Sequence, residues 1–281
     1  MRPSIRLGTL FGIPVGLHWS IAVIVGLVTF GLTGTILPQA APGYASSAYL
    51  VIGLAVSVGL LASIVAHELG HALVARRNGV GCRSISLFAL GGVAELESEA
   101  DNPGAAARIA AAGPAVSVAI GAGALVVSGL AGLVGASPLI VTALTTLGIV
   151  NLVMAVFNMI PALPLDGGRV LQAALWKRRG DREEATVSAA GVGRFLGWGI
   201  VALGLWQLLN GGGGLWTMVI GWFILTSAKA EAMRAEFNIR RRNWAPPVWH
   251  QMRPAGQVID VTGRPVTVPV DPEPNDPQRV S

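Results

Sequence analysis

From His18 to Ala75 the chain carries one Asp, Glu, Lys or Arg, and that residue is Glu68. A stretch so long and so nearly uncharged has room for two apolar segments of about 20 residues, the length at which a helix crosses the hydrocarbon core. Apolar runs of that length are read as helices, which satisfy their backbone polar groups within the segment itself. Glu68 therefore stands out. A charge near mid-membrane costs at least about 2.5 to 3.5 kcal/mol on insertion scales, so an acid retained there, between the imidazoles of His67 and His71, calls for a functional reason.

Composition extends this to the whole chain. Of 281 residues, 52% are hydrophobic and 12% charged, with mean hydropathy +0.61. A soluble domain carries about twice that charged fraction. The pattern predicts an all-α polytopic membrane protein with about six transmembrane helices, roughly at 17 to 37, 48 to 76, 104 to 133, 137 to 160, 190 to 209 and 214 to 232. All 20 Lys and Arg then lie outside these spans or near the ends of them on one side, while the loops near Pro38 to Ser47, Gly132 to Ser137 and Asn210 to Gly214 hold none. Positive charge gathers on the cytoplasmic face of membrane proteins, so both termini are expected in the cytoplasm and the chain multi-pass in a plasma membrane. The net charge of +5 then describes a face turned to the anionic lipid bilayer, with no nucleic-acid partner. One cysteine, Cys82, excludes an intrachain disulfide framework. The basic N-terminus lacks a short apolar stretch with a cleavage site, so the first span is read as retained.

Residues 67 to 71 read His-Glu-Leu-Gly-His. His67 and His71, at i and i+4, project from one helical face and can hold one Zn2+ ion. Glu68 is angled beside that metal, which suits a general base acting on the water that zinc activates. His67 lies 19 residues past Ala48, about 28 Å along a helix axis, near the cytoplasmic end of its span. Gly70 leaves room for a neighbouring backbone. A catalytic zinc needs a third protein ligand and an open position. From Ile109 to Gly168 the sole Asp, Glu, Lys or Arg is Asp166, in the run Asn-Met-Ile-Pro-Ala-Leu-Pro-Leu-Asp-Gly-Gly at 158 to 168. Pro161 and Pro164 break the fourth helix just before it, on the cytoplasmic side expected for His67. Irregular backbone at that depth is tolerated where it lines a cavity or is buried in protein.

The two motifs together resemble the site-2 protease family of intramembrane zinc metalloproteases, over about residues 1 to 235. The resemblance implies zinc ligation by His67, His71 and Asp166, with Glu68 as catalytic base. It also implies a catalytic role for Asn158, whose amide would lie near the scissile carbonyl and stabilise the oxyanion. The Gly-Ile-Pro-Val-Gly-Leu-His-Trp-Ser opening at 12 to 20, the Gly91-Gly92 pair and the Ala-Ala-Gly-Pro-Ala-Val-Ser run at 111 to 117 are similar to further landmarks. Residues 82 to 100 alternate weakly around Gly91-Gly92, which reads as strand, turn, strand. The resemblance implies that this small membrane-associated β-hairpin binds substrate, its edge taking an unwound segment as an added strand. It further suggests regulated intramembrane proteolysis of a single-pass membrane protein in a bacterial inner membrane, an anti-sigma factor being one example, at a site near the cytoplasmic side. That step is analogy.

Each of these residues also has a plainer reading. The histidines could be polar packing residues, Asp166 the N-cap of a following helix, and Asn158 an amide that joins Asn151 in gluing helices. Gly91-Gly92 could be a turn alone. His18 and Trp19 suit interfacial anchoring, and Gly113, Ser117 and Gly121, at i+4 steps, suit close helix packing. Two functional alternatives stand beside the protease: a transporter with an intramembrane His and acid site, and a catalytically idle metal-binding membrane protein. Residues 1–235 are expected to form the membrane core. Residues 236–281 form a Pro-rich cytoplasmic tail, partly disordered, with a small hairpin near Thr262-Gly263 and too few residues for a CBS module. The loops are too short for a PDZ-like insertion.

Overall fold

A computed structural model of the chain describes residues 5–88, 91–244, 258–259 and 265–266. Contacts divide it into two compact units, Met1–Glu236 and Phe237–Ser281. Two strands, β1 (Ile5–Leu10) and β2 (Ile13–Leu17), precede α1 (Ser20–Gly31), a π-helical turn at Leu32–Ile36 and the short α2 (Leu37–Ala40). Then follow α3 (Ser46–Arg77), β3 (Cys82–Phe88), β4 (Gly91–Leu96), α4 (Pro103–Leu133) and α5 (Pro138–Asn158). The last helices are α6 (Asp166–Arg179), α7 (Arg182–Leu209) and α8 (Gly214–Asn243). The polytopic helical architecture is that expected. Among the described residues, five stretches are long and apolar enough to cross a membrane: Ser20–Ala40, Ser46–Arg77, Pro103–Leu133, Pro138–Asn158 and Arg182–Leu209. The sixth expected span lies in α8, a continuous helix whose apolar first half gives way at Lys229 and Glu231 to a charged second half.

The hairpin between the second and third spans is present, but it belongs to a larger sheet. The strands run in the order β1-β2-β3-β4, with β2 and β3 parallel and the outer pairs antiparallel. Gly91 and Gly92 are not its turn. They pair with Phe88 and Leu87 as the first residues of β4, and the connection at 89–90 lies outside the described residues. Gly91 takes a positive φ of 131°, which accounts for glycine there. The buried face of the sheet, Ile13, Val15, Ile85 and Leu87, packs with Leu69 and Ala72. It thereby wedges the sheet against the end of α3 that bears His67 and His71.

Local chemistry sets the helix ends. Asn102 caps α4 by accepting from the Ala105 N–H at 2.8 Å, with Pro103 at the first helical position. Asp181 caps α7 by accepting from the Glu184 N–H at 3.0 Å, and Gly180 ends α6 in the left-handed conformation. Gly121 of α4 and Gly148 of α5 meet closely: a Cβ on Gly121 would stand 2.9 Å from the Gly148 carbonyl oxygen. This is the helix packing expected of Gly121. In the second unit, Val258–Ile259 pairs antiparallel with Pro265–Val266. The turn of that hairpin and the rest of the tail beyond Trp244 lie outside the described residues.

Candidate metal centre

The i, i+4 spacing on α3 brings both imidazoles to one side, where His67 is only 4% exposed. Their Nε2 atoms stand 3.2 Å apart. Asp166 Oδ2 lies 3.2 Å from His67 Nε2 and 3.3 Å from His71 Nε2. The opposite ring nitrogens are also engaged. His71 Nδ1 donates to the Ile109 carbonyl at 2.7 Å, and His67 Nδ1 is 2.8 Å from the Ser117 hydroxyl. A carbonyl accepts only, so His71 carries its proton on Nδ1. The same tautomer at His67 turns two imidazole lone pairs and a carboxylate oxygen toward one point. Three acceptors facing one another repel unless a cation lies between them, and the donor set of two histidine nitrogens and a carboxylate is one that zinc takes. Among the described residues, these three are the group able to hold a metal, with ligand atoms within 4.8 Å of one another.

The chain between α5 and α6 delivers Asp166. Ala162, Leu163 and Leu165 are buried, packed with Ala189, Ala190, Ile224 and Ala228 of α7 and α8. The Leu163–Pro164 peptide is cis. Gly167 and Gly168 then let the start of α6 close over this segment: a Cβ on Gly167 would fall 2.6 Å from the Ile160 carbonyl oxygen, and one on Gly168 would fall 2.7 Å from that of Ala162. Asp166 opens α6, yet the helix has no side-chain cap. Its carboxylate is turned to the histidines, so capping does not explain it.

Glu68 faces β4. A Cβ on Gly92 would lie 2.8 Å from Glu68 Cδ and 2.9 Å from Oε1, and the Ala94 backbone hydrogen-bonds the carboxylate. Gly92 is thus glycine for the sake of Glu68. Gly70 admits α4 as expected, since a Cβ there would be 3.0 Å from the Ala112 carbonyl oxygen. Asn158 is less engaged with the centre. It ends α5, and its amide donates to the Met154 carbonyl at 3.0 Å. Asn151, not Asn158, joins helices: its Nδ2 reaches Ser63 Oγ on α3 at 3.2 Å.

Sequence reasoning missed the stripe of α4 behind the histidines. Ile109, Gly113 and Ser117 share one face at i, i+4 and i+8. A Cβ on Gly113 would be 2.5 Å from His67 Nε2 and closer still to His71 Nε2. The i+4 run of small residues was visible, but only as a packing signal.

A buried His-His-Asp cluster held among membrane-length helices, with an acid beside it against a strand edge, has the donor set of a metallohydrolase zinc site. The chain belongs to Peptidase family M50, whose profile matches residues 55–142 and 134–199. It is 45% identical over 238 residues to Rip3 of Mycobacterium tuberculosis, named as a candidate zinc metalloprotease, covering 83% of this chain and 60% of Rip3. The zinc metalloprotease MJ0392 of Methanocaldococcus jannaschii is 34% identical over 210 residues, 73% of this chain and 55% of that protein. The chain thus spans about 60% or less of the length of these relatives. Among solved structures, the site-2 protease from Methanocaldococcus jannaschii matches with a TM-score of 0.53 at 31% identity, covering 81% of this chain and 94% of that one.

Proposed function

We propose that the protein is a zinc-dependent endopeptidase that cleaves a transmembrane segment of a single-pass membrane protein. The observation that carries this reading is the convergence of His67, His71 and Asp166 from two distant stretches of chain, with Glu68 held against β4. One zinc ion per chain would be bound by those three residues. When bound, zinc polarises the scissile carbonyl and lowers the pKa of water to about 7. Glu68 then takes a proton from the attacking water as its oxygen bonds to the carbonyl carbon. It passes that proton to the amide nitrogen as the C–N bond breaks. Asn158 stands eight residues before Asp166, and an N–H of its amide is the donor assigned to the developing oxyanion.

A helix hides its carbonyls in i to i+4 bonds, so the substrate must unwind before attack. β4 is an edge strand, and Glu68 sits beside it. An unwound segment added along β4 at Gly91 and Gly92 would bring its carbonyls past the base. Residues 1–235 form the proteolytic unit in this scheme, with 236–281 a cytoplasmic tail. The distribution of positive charge supports an orientation with both termini and the His67 end of α3 on the inner side of a bacterial plasma membrane. The biological process we assign is regulated intramembrane proteolysis, with an anti-sigma factor as an example of its substrate by analogy. Glu68→Gln tests the reading: the purified variant retains zinc, while cleavage of a co-reconstituted single-pass substrate stops. Unchanged cleavage would remove Glu68 from the mechanism, and transport of a solute with no cleavage by the wild type would favour the transporter instead.

A further inference from the structure

We infer that Ser117 is a positioning residue for the metal centre, its hydroxyl setting the orientation and metal affinity of His67. The inference rests on the zinc reading above. Ser117 is fully buried, and its Oγ lies 2.8 Å from His67 Nδ1. Two serines of α3 show how such a hydroxyl is ordinarily satisfied. Ser57 donates to the Gly53 carbonyl at 2.8 Å and Ser63 to the Gly59 carbonyl at 2.9 Å, each four residues back on its own helix. The bond at Ser117 instead crosses from α4 to α3, onto the ring nitrogen opposite the metal-facing one.

Its place in the stripe gives that bond a purpose. Ile109 O accepts from the Nδ1–H of His71, Gly113 vacates the space next to both Nε2 atoms, and the Ser117 hydroxyl, once a metal holds His67 Nε2, is the acceptor for the Nδ1–H of His67. One face of α4 therefore fixes the tautomer of His71 and the tilt of both rings from behind. The two supports differ in kind. That of His71 is backbone and survives any substitution, whereas that of His67 is a single hydroxyl. Removing it leaves a buried N–H with no acceptor and an imidazole free to turn its lone pair away from Asp166. Partners of this sort typically contribute about 10 to 100-fold in metal affinity.

The experiment is a zinc competition titration against a chromophoric chelator, on the detergent-purified 281-residue chain as wild type, Ser117→Ala and Ser117→Thr. Ser117→Ala is expected to bind zinc about 10 to 100-fold more weakly, while Ser117→Thr, which keeps the hydroxyl, stays within about threefold of wild type. The cobalt-loaded Ser117→Ala protein is expected to show a shifted visible absorption band. Equal zinc affinity in Ser117→Ala and wild type overturns the inference. Weakening in Ser117→Thr as large as in Ser117→Ala also overturns it, since packing and not the hydroxyl would then be at work. A wild type that takes up no zinc overturns the metal reading and this inference together.

Discussion

Gly92 of β4 lies against Glu68 of α3 so closely that a Cβ at Gly92 would stand 2.9 Å from the carboxylate Oε1. The proposed base and the proposed substrate strand are thus in contact, and glycine is the residue that permits it. Gly92→Ala is expected to push the carboxylate aside, lowering kcat about tenfold or more, equivalent to about 1.4 kcal/mol of barrier. Zinc content should stay at one per chain, because Glu68 is not a ligand. Rates in proteoliposomes together with metal analysis check both halves of this expectation.

Gly113→Ala acts on the ligands themselves. Its Cβ would stand 2.5 Å from His67 Nε2, inside the space through which the ligand nitrogens face one another. Alanine favours helix over glycine by about 1 kcal/mol, so the α4 backbone should tolerate the change. Zinc content should nonetheless fall far below one per chain, with proteolysis falling in parallel. Full zinc occupancy in this variant would contradict the placement of α4 behind the imidazoles.

Asp166 meets His67 across 99 residues of chain at 3.2 Å, and His71 at 3.3 Å. Chelation is expected to abolish cleavage and added zinc to restore it. Asp166→Asn, which keeps the shape and loses the charge, should bind zinc more weakly yet leave α6 intact, since Asp166 makes no capping bond. A drop in helical circular dichroism with unchanged zinc binding would instead restore the capping explanation.

Much of this centre was legible because a membrane excludes charge. His67, Glu68 and His71 announced themselves by helical spacing, and Asp166 by being the one ionised residue in a long apolar stretch. The sheet was not legible to the same degree. β2 pairs in parallel with β3, Val15 with Ile85, and a pairing 70 positions apart leaves no local periodic mark. β1 and β2 are short and glycine-bearing, and residues 12 to 20 stood out only as a family landmark, not as a strand. Gly91-Gly92 read as a turn because glycine signals turns most often. Gly91 does need its positive φ, but Gly92 is there for Glu68, a contact with another element that its neighbours in sequence cannot reveal. Ser117 was taken for a packing residue on the same ground, since a small side chain at i+4 looks alike whether it meets a helix or a histidine ring. The sixth span stood out by its apolar beginning, while the charges from Lys229 onward fall within the same continuous helix.

Cys82 opens β3, half-buried, and burial pushes its thiol above the usual range, with the charge of Glu97 acting in the same direction. The reactive form is the thiolate. At pH 7 to 8, therefore, a smaller fraction is reactive than in a free cysteine, and the rate should continue to rise with pH after that of an exposed thiol has levelled off. Maleimide labelling of the sole cysteine across pH 7 to 10, compared with a small thiol, measures this. A rate at neutral pH equal to that of the small thiol would show the site to be open.

Asn151 is fully buried on α5, donating to Ser63 Oγ at 3.2 Å and to the Leu147 carbonyl at 2.8 Å, while its Oδ1 accepts nothing among the described residues. One bond to α3 is gained, and one acceptor is stranded. Interhelical hydrogen bonds in membranes average about 0.6 kcal/mol, so Ser63→Ala should destabilise the protein by no more than about 1 kcal/mol. Asn151→Leu removes the bond and the stranded acceptor together with little change in volume, and replacing buried polar groups by apolar ones of similar shape is often close to neutral. The expected order of stability in detergent unfolding is therefore wild type near Asn151→Leu, with Ser63→Ala slightly below. A loss of several kcal/mol in Asn151→Leu would mean that Oδ1 has a partner essential to the α3 and α5 pair, and that the amide is more than a helix contact.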